Sequence, residues 1–375
     1  MGDSTHAGGG STTNNLDVKM GESTHAGGGS TTNNLDVKME DSTHAGDGST
    51  LCRWYIDSWP WTTTHQLLPL LQTLQPNDQE RVQMFKFIDD QNMNLASFLL
   101  KYLFIHRTCH VPWRDIVILK TEAPHGKPYY VVPKPPVDTG EDGQEPAAEK
   151  AKAQFNISHQ ASLTCLTGHT KSPTATASSC PKDKVAVGID ITCVDEAFRS
   201  TRGARVEHET KLETINIYAE IFSDKELAYM ASQKAPRTSR TTFEERKAHD
   251  NRIFFSYWAL KEAYVKMVGM GLLDPQIRQV EFENFVIPPV PKPTTTKDSV
   301  RVWGTPVDVD AYLSGRKLDD VRMQLNAWGR DFILATAGRA ISDAKWEEFK
   351  AINVEEDIVR CAKGECDCLR SDAES

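Results

Sequence analysis

Hydrophobic positions along the chain fall into helical and strand periodicities separated by polar stretches. Over Arg252–Leu273 the run RIFFSYWALKEAYVKMVGMGLL contains no proline, and it predicts a helix from near Arg252 to Gly269, a natural C′ residue. Phe254, Phe255, Leu260, Val265 and Met267 spread over most of its circumference, so the helix is expected to be heavily buried. Trp258, Glu262 and Lys266 fall at i, i+4 and i+8 and share the remaining face. A carboxylate enclosed in such a helix must pair, protonate or bind a metal. The ordinary alternative is a solvated Glu-to-Lys pair one turn apart.

A second pattern lies upstream. Val185-Ala-Val-Gly-Ile-Asp-Ile191 reads as a short buried strand carrying one acid. Alternation sends Gly188, Asp190 and Thr192 to one face and Ile189 and Ile191 to the other. The missing side chain at Gly188 leaves room beside Asp190 for a bulky ligand. A strand Asp with a helix Glu suits a hard cation such as Mg²⁺, which takes few carboxylates and keeps positions for phosphate oxygens. Otherwise Asp190 caps a strand end or pairs with a buried arginine.

The remaining elements follow in order. Residues 53–56 read as an edge strand, residues 65–75 and 76–89 as helical, and residues 94–107 as a core helix capped by Asn94. A strand at 116–120, a turn at 123–126, and the extended Lys127-Pro-Tyr-Tyr-Val-Val come next. Residues 133–153 read as a flexible insert and 168–184 as a polar linker between two α/β halves. The second half is expected to hold a helix at 211–222, one at 224–232 opened by a Ser223 cap, and a charged connection at 234–250. After the 252–269 helix come strands near 279–286, 301–303, 322–327 and 332–337, with a Pro/Thr/Lys loop at 288–299. The expected domains are 1–50, a disordered tandem repeat; 51–184 and 185–340, the two halves; and 341–375, a tail.

Composition narrows the classes. A net charge of −9 argues against a nucleic-acid binder. No run of eighteen apolar residues predicts a membrane span, and the amino terminus has no secretory-signal pattern. Eight cysteines without a pairing pattern suggest reduced thiols in a cytoplasmic protein. Met1, Met20 and Met39 open repeats around S-T-H-A-G whose few apolar residues favour disorder over a solenoid. Their histidines, His6, His25 and His44, read as solvated, and neither a myristoylation nor a prenylation pattern is met. Near the end, Cys361, Cys366 and Cys368 form C-x₄-C-x-C, which invites a zinc reading. The sequence sets no fourth ligand beside them and has no C-x₂-C knuckle, so no metal is assigned there.

Taken together, V-G-I-D-I at 187–191 and W-A-L-K-E-A-Y-V-K-M-V-G-M-G-L at 258–272 resemble the two signatures of the 4′-phosphopantetheinyl transferases. The resemblance is to the long, Sfp-type branch, above all to fungal members serving secondary metabolism and lysine synthesis, and it spans about Arg53 to Ala337 and the Cys-rich end. It implies an α+β fold of two similar α/β subdomains in pseudo-twofold arrangement, with the active site in the cleft between them. It also implies coenzyme A as substrate, Mg²⁺ held by Asp190 and Glu262 across its two phosphates, and Glu262 as base for a carrier-protein serine. Lys266 would neutralise the leaving phosphate, with Lys261 assisting from the flank. Lys127 matches the family's G-[RK]-P turn. Ser158 and His159, in Phe155-Asn-Ile-Ser-His159, match a segment that contacts phosphates, and they are binding residues because neighbours on a strand point apart. Arg81 aligns with one cationic position at the nucleotide end, whereas Met93 stands where relatives have Arg. Thr192 replaces a second acid of many relatives, which leaves water as the expected third metal ligand. Products would be the modified carrier and adenosine 3′,5′-bisphosphate. The implied partners are apo carrier domains of polyketide synthases, peptide synthetases and aminoadipate reductase, approached by a monomer.

Two other classes fit parts of the pattern. A non-catalytic coenzyme A or carrier-binding module need not keep Asp190, Glu262 and Lys266 together. A pyrophosphatase-like enzyme would want more acids around Asp190. No P-loop or G-x-G-x-x-G motif supports a nucleotide kinase or a dehydrogenase.

Overall fold

The computed structural model of the chain describes residues 48–122, 126–131, 152–171, 185–199, 208–292, 301–341 and 343–369. The amino-terminal repeats, nearly all of the expected insert, the linker beyond Lys171 and most of the Pro/Thr/Lys loop lie outside them. β1 (Ser49–Asp57) leads through α1 (Trp59–Thr63) and α2 (Pro76–Gln83) into the long α3 (Ile88–Cys109). β2 (Leu119–Lys120), β3 (Pro128–Val131), β4 (Lys152–Gln160) and β5 (Leu163–Lys171) follow. The second half contributes β6 (Ala186–Cys193), α4 (Asp224–Ser232), α5 (Phe243–Val268) and β7 (Val280–Glu283). Then come β8 (Val307–Leu313), β9 (Arg316–Lys317), β10 (Val321–Trp328), β11 (Phe332–Arg339), β12 (Lys345–Ala351) and α6 (Val359–Lys363).

The fold is α+β, built of two sheets, each backed by one long helix. The first sheet runs β12-β1-β5-β4-β3-β2 with α3 on its face, and the second runs β6-β11-β10-β8-β7 with α5 on its face. Leu95, Leu99, Leu103 and Phe104 of α3 are buried in the first core, and Leu260, Ala263, Tyr264 and Met267 of α5 in the second.

Local chemistry sets the helix ends. α5 begins at Phe243, a full nine residues before the expected start, because Thr242 and Glu245 form a capping box. Residues 243–250 are therefore helix, and only 234–242 of the expected charged connection remains one. It stops where expected, at Gly269 with φ +80°. The Ser223 cap holds as read, as a capping box with Glu226. Asn94 does not cap α3, which starts at Ile88 with Asp89 and Asp90 in its first turn favouring the helix dipole. No α-helix forms at 211–222: turns and the 3₁₀ segment Ile215–Tyr218 take its place, and the Thr214 hydroxyl binds the carbonyls of Thr210 and Lys211.

Two departures share one cause. β1 is interior rather than an edge, and residues 341–369 are not a loose tail. β12 leaves the second sheet and pairs in parallel with β1 of the first. Ile352, Val354, Ile358 and Cys361 then enter the first core. The chain end thus straps the two halves together. β5, which takes the first four residues of the expected linker, and β8, β9 and β12 go beyond the expected strands.

The halves also meet along β4 and β6. β6 is the edge of its sheet, and an edge strand must satisfy its outward N–H groups. Here side chains do so. Ile189 N donates to Asn156 Oδ1 at 3.0 Å, Ile191 N to Ser158 Oγ at 3.3 Å, and Cys193 N to Gln160 Oε1 at 2.8 Å. Alternate residues of β4 serve alternate residues of β6, which fixes Ser158 against Asp190.

Candidate active site

Strand alternation places Gly188, Asp190 and Thr192 on the face of β6 that meets α5, as read from the sequence. A side chain at Gly188 would come within 2.1 Å of the Ala263 carbonyl and 2.6 Å of Met267 N. The room beside Asp190 thus admits helix backbone, not a ligand. That close approach brings α5 down onto β6, and Glu262 and Lys266 immediately precede the two helix residues it touches.

Three polar groups close into a triangle there. Lys266 Nζ donates to Asp190 Oδ1 at 2.5 Å and to Ser158 Oγ at 3.0 Å, and Ser158 Oγ donates to Asp190 Oδ1 at 3.1 Å. Asp190 is buried, and burial pushes its carboxyl above the usual range, offset by Lys266 and Ser158. Glu262, half-buried one turn before Lys266, makes no hydrogen bond or ion pair among the described residues. Its carboxyl is also pushed up, first by burial and then by the charge of Asp190, with Lys266 opposing. Two acids that repel each other, one of them unpartnered, form a donor set suited to a small hard cation. Thr192 does not join it: its hydroxyl donates to the carbonyls of Ile333 (3.1 Å) and Phe255 (3.4 Å).

Cations surround this centre. Lys127 reaches from its turn to the carbonyls of Val187 (3.3 Å) and Met267 (3.4 Å), on the last turn of α5, and burial lowers its pKa to about 8. His159 points away from Ser158, as alternation requires. Although open to solvent, its ring is partly desolvated by the cleft walls, which lowers its pKa, helped by the charges of Lys266 and Lys101. Beside it lies a cleft of about 240 Å³ whose lining includes Asp89, Asp90, Met93 and Gln160. Arg81, 45% exposed, is paired with Asp78 at 3.3 Å and is not part of that lining.

Lys261 must be removed from the set. It is fully buried on the far side of α5, paired with Glu226 at 2.8 Å, and it donates to the carbonyls of Ile277 and Val280. A helix turns by about 100° per residue, so the neighbour of an active-site glutamate faces elsewhere.

Lys101 belongs near this site as well. It interrupts the apolar run Leu99-Leu100-Lys101-Tyr102-Leu103 of α3, and that interruption was the available signal. Its side chain is only 8% exposed, with the ammonium 4.0 Å from the Phe98 ring, and it has no hydrogen bond or ion pair among the described residues. Burial lowers its pKa to about 7, Asp78 opposes the shift, and Lys120 and Arg81 add to it. The result is a pair of enclosed acids flanked by partly desolvated cations, suited to binding a phosphorylated ligand and moving a proton.

The family model for the N-terminal part of 4′-phosphopantetheinyl transferases matches residues 58–171, and that of the 4′-phosphopantetheinyl transferase superfamily matches residues 186–335. The chain is 39% identical over 352 residues to 4′-phosphopantetheinyl transferase A of Aspergillus fumigatus, covering 85% of this chain and 96% of that protein. It is 38% identical over 338 residues to the 4′-phosphopantetheinyl transferase NpgA of Emericella nidulans, with the same coverage. It is also similar to the human L-aminoadipate-semialdehyde dehydrogenase-phosphopantetheinyl transferase, at 25% identity over 232 residues, 62% of this chain and 60% of that one.

Proposed function

The chain belongs to the 4′-phosphopantetheinyl transferase superfamily, and from that premise we propose how its residues divide the work of moving phosphopantetheine from coenzyme A to a carrier domain. The observation that carries the reading is the unpartnered Glu262 carboxyl, set one turn from Lys266 and beside Asp190.

Glu262 is the base. Its raised pKa brings it nearer the operating pH while leaving it able to accept a proton, the condition for efficient general-base catalysis. It takes the proton of the carrier serine as that oxygen attacks the pantetheine-side phosphorus. The bond to the second phosphate breaks, and adenosine 3′,5′-bisphosphate leaves with the electron pair. An ammonium has three donors. Lys266 has given one each to Asp190 and Ser158, which leaves the third for a phosphate oxygen. Lys127, His159 and Lys101 are the cations proposed to meet the remaining phosphates, with Arg81, paired with Asp78, as a further candidate. Asp190 and Glu262 are the residues that would hold Mg²⁺, which when bound supplies charge neutralisation for the pyrophosphate.

The proposed substrates are apo carrier domains of aminoadipate reductase, polyketide synthases and peptide synthetases. The first is supported by the names of the mammalian relatives, and the others by the signatures shared with the fungal branch. Both halves of the cleft come from one chain, which supports action as a monomer. Seven described cysteines, all free, support a reducing compartment, hence the cytoplasm. No described helix is long and apolar enough to cross a membrane. The test is intact-mass spectrometry of an apo carrier domain incubated with this protein, coenzyme A and Mg²⁺, with an EDTA control. A metal-dependent gain of one phosphopantetheine group is expected. No gain on several carriers by folded protein would overturn the reading in favour of a binding module.

A further inference from the structure

The fourth ligand that the cysteine cluster lacks in sequence is supplied by the fold. His106, on α3, is fully buried, and its Nε2 lies 3.0 Å from Cys366 Sγ. Cys361 Sγ lies 3.8 Å from Cys368 Sγ. One ligand atom from each of these four residues falls within 4.8 Å of every other. We propose that His106, Cys361, Cys366 and Cys368 form a structural zinc site that clamps the chain end to α3.

The distances fit one tetrahedral ion. With Zn–S near 2.3 Å, the S···S edge of a tetrahedron is about 3.8 Å, the separation seen between Cys361 and Cys368. With Zn–N near 2.0 Å the N···S edge is about 3.5 Å, so the His106–Cys366 contact needs to open by only about 0.5 Å. The imidazole is already oriented. Its Nδ1 is 2.7 Å from the Val111 carbonyl, a bond it makes as donor, which leaves the Nε2 lone pair facing the thiols. Metal-binding histidines are commonly held by such a backbone acceptor. The loop is built for return: α6 ends at Gly364, φ +74°, a left-handed residue that turns the chain from Cys361 back to Cys366 and Cys368. His110 Nδ1, 2.8 Å from the Cys368 carbonyl, fixes the end of that loop.

The donor set selects the ion. Three thiolates and an imidazole closing a four-coordinate shell favour zinc and leave no open position for substrate, so the site is structural rather than catalytic. An iron–sulfur cluster spreads its ligands over more than one metal, and four atoms this close suit a single ion. A disulfide would need Cys361 and Cys368 to approach to about 2.05 Å, and it would leave His106 and Cys366 unexplained. Binding is balanced by proton release: one Zn²⁺ and the neutral imidazole displace up to three thiol protons.

The consequence lies in the strap. β12 and the segment after it carry the chain from the second half onto the first, and the zinc would fasten its far end. His106 lies on the same helix as Lys101, so the clamp also steadies the helix that presents a cation to the cleft.

The test uses the full chain produced in zinc-supplemented medium and purified without chelator. Elemental analysis and native mass spectrometry should find about one zinc per chain. Replacement by Co²⁺ should give the intense visible bands of a tetrahedral thiolate site, a readout independent of activity. Cys366→Ser, at a partly exposed position, should lose the metal and unfold at lower temperature, whereas Cys109→Ser, a nearby cysteine outside the cluster, should keep it. Mg²⁺ is held constant throughout, so that the catalytic acids do not enter the comparison. The proposal is overturned by wild-type protein that carries no stoichiometric zinc and shows the same unfolding temperature with and without it. A Cys361–Cys368 disulfide in freshly isolated protein would overturn it equally.

Discussion

Lys266 and Asp190 are joined at 2.5 Å, across 76 residues of sequence, by the shortest contact in the cleft's polar triangle. The pairing does two things at once. It opposes the burial that raises the Asp190 carboxyl above its usual range, and it holds the ammonium one turn from Glu262. Lys266→Met removes both effects. Asp190 then loses the partner that opposes its upward shift, so the pH–rate profile should move to the alkaline side as turnover falls by roughly 10²–10³-fold. A steady-state rate profile from pH 5 to 9 checks this. An unchanged acid limb would show that Lys266 does not tune Asp190.

Glu262→Gln keeps shape and hydrogen-bonding capacity but cannot accept the serine proton. Loss of a positioned general base costs about 10²–10⁴-fold. Coenzyme A binding, measured by calorimetry, should survive. With Glu262 as the proposed base, wild-type activity should rise with pH through a pKa above the ordinary carboxylate range, because burial and Asp190 raise it. Stability moves the opposite way. A carboxyl whose pKa is raised on folding binds its proton more tightly in the native state, so its contribution falls as pH rises through that window. Near-normal turnover in the variant would remove Glu262 from the mechanism.

Much of this site was legible because its signals are local. Gly188 and Asp190 obey strand alternation, Glu262 and Lys266 obey helix periodicity, and Gly269 ends the helix as read. What escaped depends on contacts between distant segments. The sequence does not show that β12 returns to β1, so an interior strand read as an edge and a strap read as a tail. Lys261 read as a flanking phosphate ligand because it adjoins Glu262, while its partner Glu226 lies 35 positions away. The C-x₄-C-x-C run read as incomplete because His106 stands some 255 residues before it. Lys101 was visible as a break in an apolar stripe, yet only the packing shows that the break faces charge.

Lys101 carries a stability cost from its burial. The unfolded chain holds its proton up to about the ordinary 10.5, and the folded one only to about 7. Between those values the unfolded state binds more protons, so this group makes stability rise with pH, and its penalty is full below pH 7. Lys101→Met should therefore stabilise the protein by on the order of a few kcal/mol at pH 6–7. The gain should shrink toward pH 10. The same variant should bind coenzyme A roughly tenfold more weakly, through the lost charged contact. Urea unfolding at several pH values, with calorimetry of coenzyme A, separates the two effects. A variant no more stable than wild type at pH 6 would mean that Lys101 is better solvated than the packing implies.

Gly188→Ala tests whether the site depends on the approach of α5 to β6. The added methyl would meet backbone, the Ala263 carbonyl at 2.1 Å and Met267 N at 2.6 Å, and backbone cannot swing aside as a side chain can. Either α5 lifts from the sheet or the chain fails to close over it. Overpacking of this kind costs about 1–3 kcal/mol, and more when the obstacle is main chain. Lifting α5 would also carry Glu262 and Lys266 away from Asp190, so turnover should fall further than stability. A misplacement near 1 Å is worth about 10²-fold in rate. Rate measurements on the folded fraction, alongside a thermal melt, read both quantities. Wild-type turnover with a wild-type melt would show that the helix can retreat without moving its catalytic face, and the close approach would then serve packing alone.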